Sequence, residues 1–168
     1  MGYAFGHVVF SWVLAKLGRL KFNKHEWLAL FFGAILPDID YIFDWVLNVR
    51  IHRNFTHSIL FLVIGVILTY FIVKFLFKKL NPKQLSIALG LGVLSHFVLD
   101  MAFGSPGINL FWPLDFRVFF FGVITNYSAL PFFENYDLKK RVVLLLIDSV
   151  IGLLFFVYLT MKNKIKEF

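Results

Sequence analysis

The sequence predicts an all-α fold: a polytopic transmembrane helix bundle of five or six helices, with a polar site in its outward half. Three observations predict it. Of 168 residues, 60% are apolar and 20% aromatic, Phe alone contributing 23, whereas soluble domains are about half apolar. Apolar runs of about 20 residues recur, the length a helix needs to cross a bilayer. The ionisable residues that interrupt these runs gather in five short strings: Gly6-His7, Pro37-Asp38-Ile39-Asp40, His52 through Ser58, Ser95-His96 through Asp100, and Trp112 through Asp115. These strings contain four of the five histidines. Ionisable groups at span depth cost several kcal/mol unless they pair, bind ions or line a wet cavity.

The elements follow in order. Tyr3 to Leu17 is short and carries His7 near its start, so it reads as a tilted or partly embedded first helix. Glu26 to Leu47 has spanning length but carries Pro37, Asp38, Asp40 and Asp44 in its second half. Ser58 to Phe77 is a clean span, and Gln84 to Phe103 is one bearing His96 and Asp100. Gly104 to Asp115, rich in Gly, Pro and Asn, is irregular backbone, which at membrane depth must line a cavity or be buried in protein. Val118 to Phe133 is too short and polar for a clear span and reads better as a re-entrant or interfacial segment; Val142 to Met161 is the last span. The whole of 1–168 forms one membrane-embedded domain, its motifs within 1–115, and no cleavable signal peptide is expected.

Charge orients this bundle. Lysines and arginines cluster at Lys16 to Lys24 and Lys74 to Lys83, and the positive-inside tendency places both connections in the cytoplasm. His7, Asp38, Asp40, the His52 to His57 loop, His96, Asp100 and Asp115 then all fall on the extracytoplasmic side. The net charge of +7 belongs to these connections and to anionic headgroups, and no nucleic-acid partner is expected. The expected location is the cell membrane, multi-pass.

The chemistry follows from residue types. Without cysteine, a metal must be held by imidazole and carboxylate, which suits zinc first, with manganese, iron and magnesium as alternatives. His96 and Asp100, four apart, share a helix face. Asp38 and Asp40 would diverge on a regular helix, but Pro37 disturbs the backbone before them, so that both can serve one cavity unless Asp38 only caps a helix. His52 and His57 bracket Arg53, a bidentate partner for an oxyanion, and Thr56 or Asn54 is placed to cap the following helix. Trp12, Trp27, Trp45 and Trp112 read as lipid-facing or interfacial aromatics, and His25 as solvated. The metal pool is therefore His7, Asp38, Asp40, His52, His57, His96 and Asp100, holding one to three ions. Asp38, Asp40 and Arg53 are the catalytic candidates, and Thr56, Ser58, Ser95, Asp115 and Asp148 the supporting polar groups.

In order and combination, His7, Leu36 through Asp40, His52-Arg53 with Thr56-His57-Ser58, Ser95-His96 with Leu99-Asp100, and Trp112-Pro113 resemble the YdjM-type family of membrane-bound, metal-dependent hydrolases, some of them LexA-regulated. The resemblance covers residues 1–115 and implies a polytopic protein with a hydrolytic metal centre. The His96-x-x-x-Asp100 spacing is also similar to one in zinc-dependent phospholipase C enzymes, though their other ligand strings are not matched. The expected function is hydrolysis of a lipid or lipid-linked ester, foremost a phosphoester, by metal-activated water, with membrane lipids as partners. A metal-ion transporter or sensor, and a non-enzymatic protein with interhelical polar packing, are the alternatives.

Overall fold

A computed structural model describes residues 4–47, 52–103, 107–114, 116–120, 122–124 and 138–162. The described chain is predominantly helical: α1 (Ala4–Leu17), α2 (Lys24–Ile35), α3 (Asp40–Leu47), α4 (Ile59–Leu76), α5 (Pro82–Phe103) and α6 (Leu138–Met161), with one small hairpin, β1 (Arg117–Phe119) and β2 (Gly122–Ile124). Among the described residues α4 and α5 are long and apolar enough to cross a membrane.

Local chemistry sets the helix starts. Asn23 and Glu26 form a capping box: the Asn23 side chain accepts from the His25 and Glu26 amides, and Glu26 accepts from the Asn23 amide at 2.9 Å. Asn81 caps α5, accepting from Lys83 and Gln84, with Pro82 in the first position that suits it. Ser58, and neither Thr56 nor Asn54, caps α4: its hydroxyl accepts from the Phe61 amide at 3.1 Å.

One expectation about spans changes. The run 26–47 is broken, because Pro37 ends α2 and opens a tight 3-10 turn, Leu36–Ile39, before α3. At the start of the segment expected over 118–133, β1 and β2 form an antiparallel hairpin, with Val118 opposite Val123; 125–137 lie outside the described residues.

The core is built on the α2–α5 contact, which two glycines permit. A Cβ on Gly92 would stand 2.1 Å from the Leu30 carbonyl oxygen, and one on Gly33 would stand 2.2 Å from the Leu89 carbonyl oxygen. Backbones this close are the use small residues have in helix packing. Trp12 and Trp27 prove to be core residues: Trp27 is 2% exposed and packs against Phe22 and Phe31, with the Lys16 ammonium 5.0 Å from its ring. Trp112 is exposed, and the Trp45 side chain lies outside what is described. The α4 surface carries exposed Leu60, Val63, Ile67, Leu68, Phe71 and Phe75, an apolar exterior on nearly every face.

Candidate metal centre

The α2–α5 contact leads directly to the site. Because Gly92 lets α5 lie on the α2 backbone beside Ala34, His96, one turn further along α5, reaches the Ala34 carbonyl oxygen with Nδ1 at 2.7 Å. A carbonyl only accepts, so Nδ1 carries the proton, and neutral His96 presents the Nε2 lone pair.

His57 is fixed the same way from the loop before α4. The Thr56 hydroxyl donates to Asp40 Oδ2 in a very short hydrogen bond, so at 3.0 Å Thr56 Oγ1 accepts from His57 Nδ1. Neutral His57 therefore also turns its Nε2 lone pair inward. The two Nε2 atoms are 3.1 Å apart.

Two carboxylates join them. The 3-10 turn delivers Asp38, whose Oδ1 is 3.5 Å from His57 Nε2 and 3.4 Å from His96 Nε2. Asp100 Oδ2 lies 3.6 Å and 3.9 Å from the same nitrogens. Ligands about 2.0–2.2 Å from a zinc ion are about 3.3–3.6 Å apart on a tetrahedron. The His57, His96, Asp38 and Asp100 atoms thus have spacings that could hold one divalent ion, and the confronted lone pairs are the physical reason for a cation between them.

His7 stands behind this group. It is fully buried, its ring stacks on His96 at 3.8 Å, and its Nε2 is 3.7 Å from Asp100 Oδ1 and 3.9 Å from Asp38 Oδ2. Arg53 supplies the adjoining positive charge, Nη2 at 3.0 Å from Asp100 Oδ2.

Asp40, buried as well, is turned away from the four-atom group. Its oxygens accept from Thr56, from the Arg53 amide at 3.2 Å and from His52 Nδ1 at 2.6 Å. Thr56 links it to His57, and it stands outside the four-atom group. Asp40, His52 and His57 nevertheless form a second set of atoms close enough to hold an ion. His52 stacks on Tyr41 at 3.7 Å. Burial lowers the His52 pKa, and the Asp40 bond only partly opposes it. For His57 burial also pulls downward, but hydrogen bonding with Asp38 and Asp40 outweighs it and raises the pKa.

The other expected residues fall elsewhere. Ser58 donates to the Phe55 carbonyl and caps α4; Ser95 donates to the Gly92 carbonyl within its own helix. Both hydroxyls are bonded to backbone groups. Asp148 on α6 accepts from the Phe5 and Gly6 amides at 3.0 Å and 2.7 Å, anchoring the start of α1 one residue before His7. Asp115 lies outside the described residues, and His25 is exposed.

Sequence reasoning missed Arg117. Buried on β1, it donates through Nη1 to the Arg53 carbonyl at 2.9 Å and through Nη2 to the Asn54 side chain at 3.0 Å. The Asn109 amide donates to the same carbonyl at 3.1 Å. These bonds hold Arg53 at φ 65°, a left-handed conformation that costs a non-glycine residue about 1–2 kcal/mol. The one available signal was an arginine in an apolar stretch.

No solved structure matches the chain. "Uncharacterized protein YvsG" of Bacillus subtilis (strain 168) is 34% identical over 97 residues, 51% of this chain and 56% of that protein, so the match spans little more than half of the relative's length. The family model of the YdjM inner membrane protein matches residues 2–165, nearly the whole chain, and the chain belongs to that family.

Proposed function

We propose that this chain is a multi-pass membrane hydrolase that uses a divalent metal, zinc foremost, to cleave a lipid or lipid-linked ester, a phosphoester first of all. The observation that carries the reading is the convergence of His57, His96, Asp38 and Asp100 with the Arg53 guanidinium alongside. A divalent ion held there would supply water activation and polarisation of the ester oxygen. Arg53 orients the substrate oxyanion through its planar fork. Asp38, with 20% of its side chain exposed against 2% for Asp100, is the carboxylate on the side from which water would approach. Asp40 and Thr56 keep His57 in the required tautomer.

The helix ends support the topology. Going along the chain, α1 runs from His7 to Lys16, α2 from Lys24 towards Asp38, α4 from just after His57 to Lys74, and α5 from Lys83 to His96 and Asp100. Each thus has a basic end and a site end, which favours a site facing the extracytoplasmic side. Exposed Ile39, Ile42, Phe43, Phe55, Phe111 and Trp112 lie in the segments that carry or adjoin the site, a setting suited to a substrate with an acyl or isoprenoid tail.

The test is metal content of detergent-purified protein, followed by hydrolysis of phospholipids and lipid phosphates in mixed micelles with zinc or manganese. Activity that depends on metal and is lost in Asp38→Asn and Arg53→Ala is the expected result. Bound metal without hydrolysis, together with metal uptake by vesicles containing the protein, would replace the hydrolase with a transporter.

A further inference from the structure

We propose a second cation position, at His7, sharing both carboxylates with the first. It rests on reading the His57–His96 group as a metal centre and extends it to a carboxylate-bridged pair.

The two carboxylates divide their oxygens. Asp38 Oδ1 and Asp100 Oδ2 face the Nε2 atoms of His57 and His96 at 3.4–3.9 Å. Their other oxygens, Asp38 Oδ2 and Asp100 Oδ1, face His7 Nε2 at 3.9 Å and 3.7 Å. These distances are longer than the 2.7–3.2 Å of an N–H···O hydrogen bond. They lie a little beyond the spacing of about 3.3–3.6 Å between ligands on a tetrahedron, so an ion would draw the three atoms together by a few tenths of an ångström.

An independent feature supports the second position. The His7 and His96 rings are nearly parallel, 15° apart, with centroids 3.8 Å from each other. Rings stacked this way can each bind an ion, and their separation is similar to the about 3.5–4 Å between the ions of two-metal sites. Asp148 fixes this stack from outside by accepting from the Phe5 and Gly6 amides, which sets the position of His7 along α1.

The positions differ in what they leave open. His57, His96, Asp38 and Asp100 provide four ligand atoms, enough to close a tetrahedron, whereas His7 with the two outer oxygens provides three. Catalytic sites keep an open position that structural sites lack. The His7 position therefore leaves a coordination place for water or the substrate oxyanion, with Asp38 the more exposed of its two carboxylates.

Manganese titration of the full-length protein in detergent, read by bound metal per chain and by electron paramagnetic resonance, tests this. Two ions per chain with a spin-coupled spectrum are expected for the natural protein. His7→Phe, which keeps the ring and its volume, should reduce this to one ion with the six-line spectrum of isolated manganese. One uncoupled ion in the natural protein, unchanged in His7→Phe, would remove the second position and leave the first. A second ion that survives His7→Phe but is lost in His52→Ala would assign it to Asp40 and His52 and overturn the proposal. No bound ion would overturn both readings. The spectrum of the natural protein decides even if His7→Phe fails to fold.

Discussion

His57 Nε2 and His96 Nε2 confront each other at 3.1 Å in a fully buried setting. With Nδ1 of His96 committed to the Ala34 carbonyl and Nδ1 of His57 to Thr56, two lone pairs meet unless a proton or a metal ion lies between them. A bound ion should therefore stabilise the fold strongly. Saturating zinc or manganese is expected to raise the Tm of the detergent-solubilised protein, and a chelator to reverse the rise. At a thousandfold excess over Kd the gain is about 4 kcal/mol. A Tm indifferent to both metals would remove the metal centre.

Protons compete with the metal for this position. The His57 pKa is raised because hydrogen bonding with Asp38 and Asp40 outweighs the opposing effect of burial. In metal-free protein the associated stabilisation is fully present below the unfolded value of about 6.5 and is lost as pH rises through the higher folded value. Metal binding has the opposite slope, since it must displace that proton. The metal-induced Tm increment should grow with pH across this window. Paired melting curves with and without zinc check this, and an increment that shrinks with pH would contradict it.

The polar strings were legible because ionisable residues in an apolar chain have few other uses, and His96 and Asp100 needed only helical spacing to be paired. The break at Pro37 was legible as a disturbance, but its form, a 3-10 turn that sets Asp38 beside His57 and His96 and Asp40 against His52 and Thr56, depends on contacts with the distant loop 52–58. Trp27 was misread because composition cannot distinguish a lipid-facing aromatic from one packed against another helix. Arg117 escaped because its partners are a backbone carbonyl and Asn54, more than sixty residues away. The roles of Gly33 and Gly92 appear only when the two helices are placed together.

Gly92→Ala should disable the site without touching a ligand. The added methyl meets the Leu30 carbonyl oxygen and the Ala34 amide nitrogen, both backbone atoms, so α5 must move off α2 and the His96–Ala34 bond lengthens. Overpacking of this kind costs about 1–3 kcal/mol. Losing the bond that orients a metal-binding histidine costs about 10–100-fold in affinity. Thermal melting and metal titration should both register the change. Unaltered metal affinity would show that His96 needs no support from Ala34.

Arg117→Lys should separate substrate handling from metal binding. Lysine cannot form the fork to the Arg53 carbonyl and Asn54, and without it Arg53 has less reason to remain at φ 65°. Losing a hydrogen bond from a charged group costs about 1.5–3 kcal/mol. Inhibition by inorganic phosphate should weaken by about tenfold or more, while metal content stays at the natural level. Loss of metal together with phosphate affinity would show that Arg117 supports the whole loop, not Arg53 in particular.

Thr56 offers the sharpest test of the outer layer, because one hydroxyl links Asp40 to His57. Thr56→Val preserves shape and removes the link, leaving His57 Nδ1 without its acceptor and free to take the other tautomer, which points a proton at His96 Nε2. Metal affinity should fall about 10–100-fold, the usual effect of losing a partner that orients a metal-binding imidazole. Thr56→Ser keeps the hydroxyl and should retain affinity close to that of the natural protein. Equal losses in both variants would point to packing of the threonine methyl, and no loss in either would mean that Asp40 reaches His57 directly across the 3.6 Å that separates Oδ2 from Nδ1.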